Sequence, residues 1–104
     1  MTDRTAALRA MVDTHPTNAL ARFGLANELM KLGQHAEAAE HYAEYLERYD
    51  DEGNGWGRYA EALTALGRSD EARVALERGI VAAERFGHPG MAEDLQSRLE
   101  ELKS

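Results

Sequence analysis

The sequence predicts an all-α domain in which antiparallel helical hairpins stack in order and a last helix closes the stack. Three observations carry that prediction. The composition is rich in Ala, Leu, Glu and Arg, with only two prolines; apolar residues recur at intervals of three and four; and the chain repeats itself after thirty-four residues. Laying "LMKLGQHAEAAEHY" (29–42) over "LTALGRSDEARVAL" (63–76) aligns Leu29 with Leu63, Leu32 with Leu66, Gly33 with Gly67, Glu37 with Glu71 and Ala38 with Ala72. Ala26 and Ala60 extend the match upstream, and Leu46 and Ile80 extend it downstream.

Each element follows from its residues. A first helix over 3–14 carries Leu8, Met11 and Val12, one period ahead of Tyr42, Tyr45 and Leu46. The second, 18–32, places Leu25, Leu29 and Leu32 on one side, and the third, 35–49, forms an apolar face from Ala38, Tyr42, Tyr45, Leu46 and Tyr49. Gly33 between them stops the second helix, because glycine accepts the left-handed conformation that closes a helix. Helices over 54–66 and 69–86 repeat the pattern around Gly67. Gly87 and Pro89 then punctuate the chain before a sixth helix, 89–102, with Met91, Leu95, Leu99 and Leu102 on one stripe and charge elsewhere. This polar-backed helix is expected to cap the stack, as an end exposed to water requires. The expected organisation is one domain, 1–104: half a repeat at 3–16, repeats at 19–52 and 53–86, and the cap at 88–104.

These residues resemble the tetratricopeptide repeat family, whose unit of thirty-four residues follows W-x2-L-G-x2-Y…A-x3-F…P. The second repeat supplies Trp56, Tyr59, Ala60, Leu63, Ala72 and Leu76; the first supplies Arg22, Leu25, Ala26, Leu29, Ala38 and Tyr42. Pro16 falls at the terminal proline position, whereas neither full repeat ends in proline, and Tyr45 is bulky where the family usually has alanine. The resemblance covers residues 5 to 86. It implies a short right-handed solenoid and a non-catalytic interaction module or scaffold that binds a peptide or helix of a partner protein on the concave face of its first helices. Carried over position by position, that face comprises Leu20, Phe23, Asn27, Met30 and Lys31, then Asn54, Gly57, Glu61 and Thr64. Phe23 and Met30 offer apolar contact, Asn27 can hold a peptide backbone, and Lys31 can meet a carboxylate. Family members that clamp a carboxyl terminus use lysines and asparagines that this chain replaces with Phe23 and Arg58, so that clamp is not expected. The alternative is self-assembly into a homodimer through the tyrosine-bearing face.

Composition narrows the chemistry. The absence of cysteine removes disulfides, thiolate metal sites and cysteine nucleophiles. Nineteen acidic residues against twelve basic ones give a net charge of −7, which opposes nucleic-acid binding. The first residues lack the apolar run of a signal peptide and no segment approaches a membrane span, so the expected location is cytoplasmic, with no membrane partner. No serine has a base nearby in sequence, and His35 and His41, six apart, diverge on one helix. Glu37 and His41 can share a face as a surface pair. Neither a catalytic set nor a metal or cofactor site is expected.

The stretch "DDEGNGWGRYAE" (50–61) approximates a calcium loop through Asp50, Glu52, Asn54, Gly55 and Glu61. Against a calcium-binding helix-loop-helix stand the long Glu52 at the third position, Gly57 at the eighth, and a helix that begins near Asn54, before the loop could close on an ion. A glycine-rich phosphate cradle is opposed by Asp50, Asp51 and Glu52. The expected account is a solvated acidic turn, with Gly57 leaving room for Tyr45 or for a partner's backbone.

Overall fold

The computed structural model describes residues 4–103. They form six helices: α1 (Arg4–Thr14), α2 (Ala19–Lys31), α3 (His35–Arg48), α4 (Asn54–Ala65), α5 (Ser69–Arg85) and α6 (Pro89–Lys103). All six expected helices are present, with ends within a residue of expectation; Asp3, the expected start of the first, lies outside the described residues, as does Ser104 at the end of the cap. Each helix packs on the next in sequence, and the described chain extends 40 × 28 × 21 Å, the outline of a stack whose contacts are between neighbours.

Local chemistry sets the boundaries. The Asn18 side chain caps α2 by accepting from the Ala21 N–H at 3.1 Å. Gly33 and Gly67 adopt φ of 75° and 76°, and the residues after them, Gln34 and Arg68, donate back to Leu29 and Leu63 at 2.9 Å. Those bonds satisfy carbonyls that a helix end leaves open.

The core follows the repeat. Leu25, Leu29, Leu63, Leu76 and Tyr42 are fully enclosed, and Ala26, Ala38, Ala60 and Ala72 are buried where paired helices approach. The cap turns Leu95 and Leu99 inward and leaves Glu93, Asp94, Glu100 and Glu101 in water.

The junction of α3 with α4 departs from expectation in two ways. Tyr45, which under the self-assembly alternative would offer a face to another copy together with Tyr42, is buried like its neighbour; of that stripe Tyr49 alone is exposed. Nor is the acidic turn wholly solvated, since Asp51 is buried at 5% exposure. Its Oδ1 accepts from the N–H groups of Gly53 and Gly55 at 2.7 and 2.8 Å, and its Oδ2 accepts from the Tyr45 hydroxyl at 2.6 Å. Asp51 thereby caps α4 from within, using orphan N–H groups that a helix start leaves free.

Tyr45 lies over Gly55, not Gly57. A Cβ on Gly55 would come within 2.7 Å of the Tyr45 ring. One period later the sizes reverse: Gly79 stands where Tyr45 stood, and Trp56 and Leu95 close in on it, the Trp56 Cβ lying 2.9 Å from where a Gly79 Cβ would be. The bulky residue that breaks the family pattern is thus accommodated by a glycine on the neighbouring helix.

Candidate functional site

The residues expected to form one binding face come from α2 and α4, and the structure divides them. On α2, Leu20 is 66% exposed, while Phe23 is half-buried, its ring centroid 5.9 Å from Tyr42 and 4.7 Å from Tyr45. The buried Tyr42 hydroxyl donates to Asn27 Oδ1 at 2.6 Å, which fixes the amide and turns its NH2 away from the tyrosine. Burial pushes the Tyr42 phenol up to about 12, with the neighbouring Arg58 cation pulling the other way and Glu61 adding to the rise. Arg58 of α4 also lies 6.0 Å from the Phe23 ring centroid. Phe23, Asn27 and Arg58 therefore gather near one buried phenol, with the charge of Glu61 felt there as well.

Other expected contributors are engaged elsewhere. Lys31 pairs with Glu28 at 3.4 Å, and Met30 receives His35 at 3.4 Å from its sulfur. Thr64 turns its hydroxyl back to the Ala60 carbonyl at 2.8 Å. Gly57 is buried under α6: an added Cβ would lie 3.0 Å from both Leu95 and Arg98, and Arg98 Nη2 donates to the Gly57 carbonyl at 2.8 Å. The room expected there for Tyr45 or a partner is already filled by the cap. Asn54 and Glu61 flank a cleft of about 630 Å³ shared with Arg58, Asp94 and Arg98.

Arg58 and Arg98 also lie along this face and were not among the residues expected there. Arg98 could not be found from the repeat, because α6 presents Leu95 and Leu99 inward in place of the family's small residues. Arg58 is legible only through the phenol it faces.

The Glu37–His41 pair is also more than a surface contact. His41 Nε2 lies 3.6 Å from Glu37, Arg22 Nη1 donates to His41 Nδ1 at 3.1 Å, and Arg9 of α1 pairs with Glu37. Burial first, and then the Arg22 cation, holds the imidazole below its ordinary range. The Arg9 hydrogen bond holds Glu37 below the usual carboxylate range. The chain Arg9–Glu37–His41–Arg22 ties three helices together.

The calcium geometry does not form. Both Asp51 oxygens are taken by Tyr45 and the α4 backbone, and residues 54 to 65 are helical. Among the described residues no group of three or more His, Asp or Glu is placed to hold a metal ion, and no helix is long and apolar enough to cross a membrane.

Six helices packed each on the next, with side chains converging from alternate ones, define a short helical-repeat protein. A family model for the tetratricopeptide repeat matches residues 4–52 and, overlapping it, 23–88. The chain belongs to the tetratricopeptide repeat family, whose repeats generally mediate protein–protein interaction. No curated protein matches the chain.

Proposed function

We propose that this chain is a non-catalytic protein–protein interaction module that takes a peptide or helix of a partner protein on its α2/α4 face. The observation that supports it is the gathering of Phe23, Asn27 and Arg58 near the Tyr42 ring and hydroxyl. That arrangement holds an amide with its NH2 free beside an aromatic ring, with the exposed Leu20 on the same helix. Such a surface suits an extended segment: the amide meets backbone carbonyls, and Leu20 and Phe23 meet apolar side chains. Because α6 covers Gly57, the surface is centred on α2 and the exposed edge of α4. The acidic balance of the chain favours a partner segment of apolar and basic character. We place this activity in the cytoplasm and divide the binding unit into repeats at 19–52 and 53–86.

The test is selection of peptides from a random display library, followed by affinity measurement against Leu20→Asp and Arg58→Glu. Both side chains are exposed, so the variants keep their helical circular dichroism. Loss of affinity in both supports the reading; peptides that bind both variants as tightly as the parent protein place the site elsewhere.

A further inference from the structure

The opposite side of the stack carries a second surface that the α2/α4 reading does not use. Between α3 and α5 runs a cleft of about 540 Å³ floored by Trp56 and Tyr59 of α4 and walled by Leu46 and Val74. A second cleft of about 500 Å³ shares Leu46, Trp56 and Val74 with the first and continues past Tyr49 and Val81. Together they form one groove along α5 from Asp70 to Arg85, about 22 Å at the rise of an α-helix. Its apolar residues are open to water: Tyr49 is 45% exposed, Val74 48% and Val81 63%. Val74 and Val81, seven apart, sit on one ridge of α5, and a groove of this form receives the apolar stripe of another helix.

Charge selects the kind of helix. Arg73 offsets Asp70, Arg68 offsets Glu71, and Arg85 offsets Asp50. Arg78 lies over the Trp56 ring, 5.7 Å from its centroid. Glu47 on the α3 wall and Glu77 on the α5 wall make no ion pair among the described residues. Arg78, which lines both clefts without an ion pair, is among the described residues the one unpaired cation against these two carboxylates, so the walls stay acidic over an apolar floor. That surface complements a stripe of leucine-like residues flanked by lysine or arginine, and repels an acidic helix. It also disfavours a second copy of this chain, whose net charge is −7.

We propose that the α3/α5 groove is a second docking site, and that its occupant is a basic amphipathic helix of a partner protein. Trp56 is the chain's only tryptophan and lies on the groove floor, so its emission responds to occupation of this groove. The experiment titrates the full chain with a synthetic helix of about eighteen residues built of leucine and lysine, and with its leucine and glutamate counterpart, neither containing an aromatic residue. The lysine peptide is expected to shift Trp56 emission saturably, and the glutamate peptide to bind at least about tenfold more weakly. Val81→Asp is expected to weaken the lysine peptide by a similar factor, and Glu47→Lys with Glu77→Lys to reverse the preference. Leu20→Asp with Arg58→Glu on the other face should leave this titration unchanged, which separates the outcome from that of the α2/α4 reading. An unmoved Trp56 emission, a shift indifferent to Val81→Asp and to the charge reversal, or sedimentation showing the groove filled by a second copy would each overturn the proposal.

Discussion

The Tyr45 hydroxyl donates to Asp51 Oδ2 at 2.6 Å inside the junction of α3 and α4, while Oδ1 of the same carboxylate accepts from the N–H groups of Gly53 and Gly55 at the start of α4. One buried side chain thus sets both the start of a helix and its packing against the previous one. Hydrogen bonds to a charged group contribute about 1.5 to 3 kcal/mol each, and the groups they leave behind must find other partners. Asp51→Ala is expected to cost about 3 kcal/mol or more, and Tyr45→Phe about 1 to 2 kcal/mol. A double-mutant cycle by urea denaturation measures the coupling; additive losses would show that the two groups act independently.

The same pair sets the alkaline limit. Burial first, and then the Asp51 hydrogen bond and charge, raise the Tyr45 phenol well above its ordinary value of 10, while Tyr42 is pushed up to about 12. Above pH 10 the unfolded chain loses these protons first, so stability is intact below that pH and falls as the pH rises through the folded values. Ultraviolet titration is expected to show Tyr42 and Tyr45 ionising only as helicity is lost. If all four tyrosines titrate near pH 10 in a folded protein, this account is wrong.

Which parts of this arrangement were legible in the sequence depends on range. The period, the glycine stops and the apolar stripes are local, and they gave the six helices. The burial of Asp51 was not legible, because Asp50, Asp51 and Glu52 stand together and only the direction of the chain entering α4 selects the middle one. Asn27 and Phe23 were placed on the inner face from their positions in the repeat, but their packing at Tyr42 was not legible there, and Arg58 and Arg98 act across helices. Gly57 misled for a related reason: an inner-face glycine signals a close approach, and its position does not say whether Tyr45, a partner or the cap makes it.

Gly55 offers the sharper test of close approach. Replacing a helical glycine by alanine ordinarily gains about 1 kcal/mol. Here the new Cβ would meet the Tyr45 ring and the Asp51 carboxylate, each at 2.7 Å. Gly55→Ala is therefore expected to destabilise by about 1 to 3 kcal/mol, with a loss of the slow amide exchange at residues 53 and 55. A melting temperature that rises would mean that the junction yields readily.

Gly79 should respond in the same direction for a different reason. An added Cβ meets the Trp56 Cβ at 2.9 Å and Leu95 at 3.1 Å, so it presses on the attachment of α4 and α6 to α5. The Trp56 Cβ is fixed to its backbone and cannot swing aside as a side-chain tip can. Gly79→Ala is expected to cost about 1 to 3 kcal/mol and to loosen α6, seen as faster hydrogen exchange over 89–103 than over 19–31. Uniform exchange across the chain would show that α6 is not held at this point.

Acid should act at the opposite end, through Arg9, Glu37, His41 and Arg22. Arg22 donates to His41 Nδ1, so the neutral ring carries its proton on Nε2, towards Glu37. Protonating Nδ1 would set an N–H against the Arg22 donor, with Arg9 beyond; Glu37 is the one nearby group that favours the cation, and burial and Arg22 outweigh it. The folded pKa is thus below the ordinary 6.5, and the unfolded chain binds the proton first. Stability from this group is present above pH 6.5 and is lost as the pH falls through the lower folded value. Glu37 has the same sign at lower pH, because Arg9 holds it below its ordinary 4.5. The melting temperature is expected to fall in two steps from neutral to acid, the first removed by His41→Asn and the second reduced by Arg9→Gln. A parent protein whose melting temperature is constant from pH 7 to 5, with His41 titrating near 6.5 by NMR, would leave the chain without a role in holding α1 and α2 to α3.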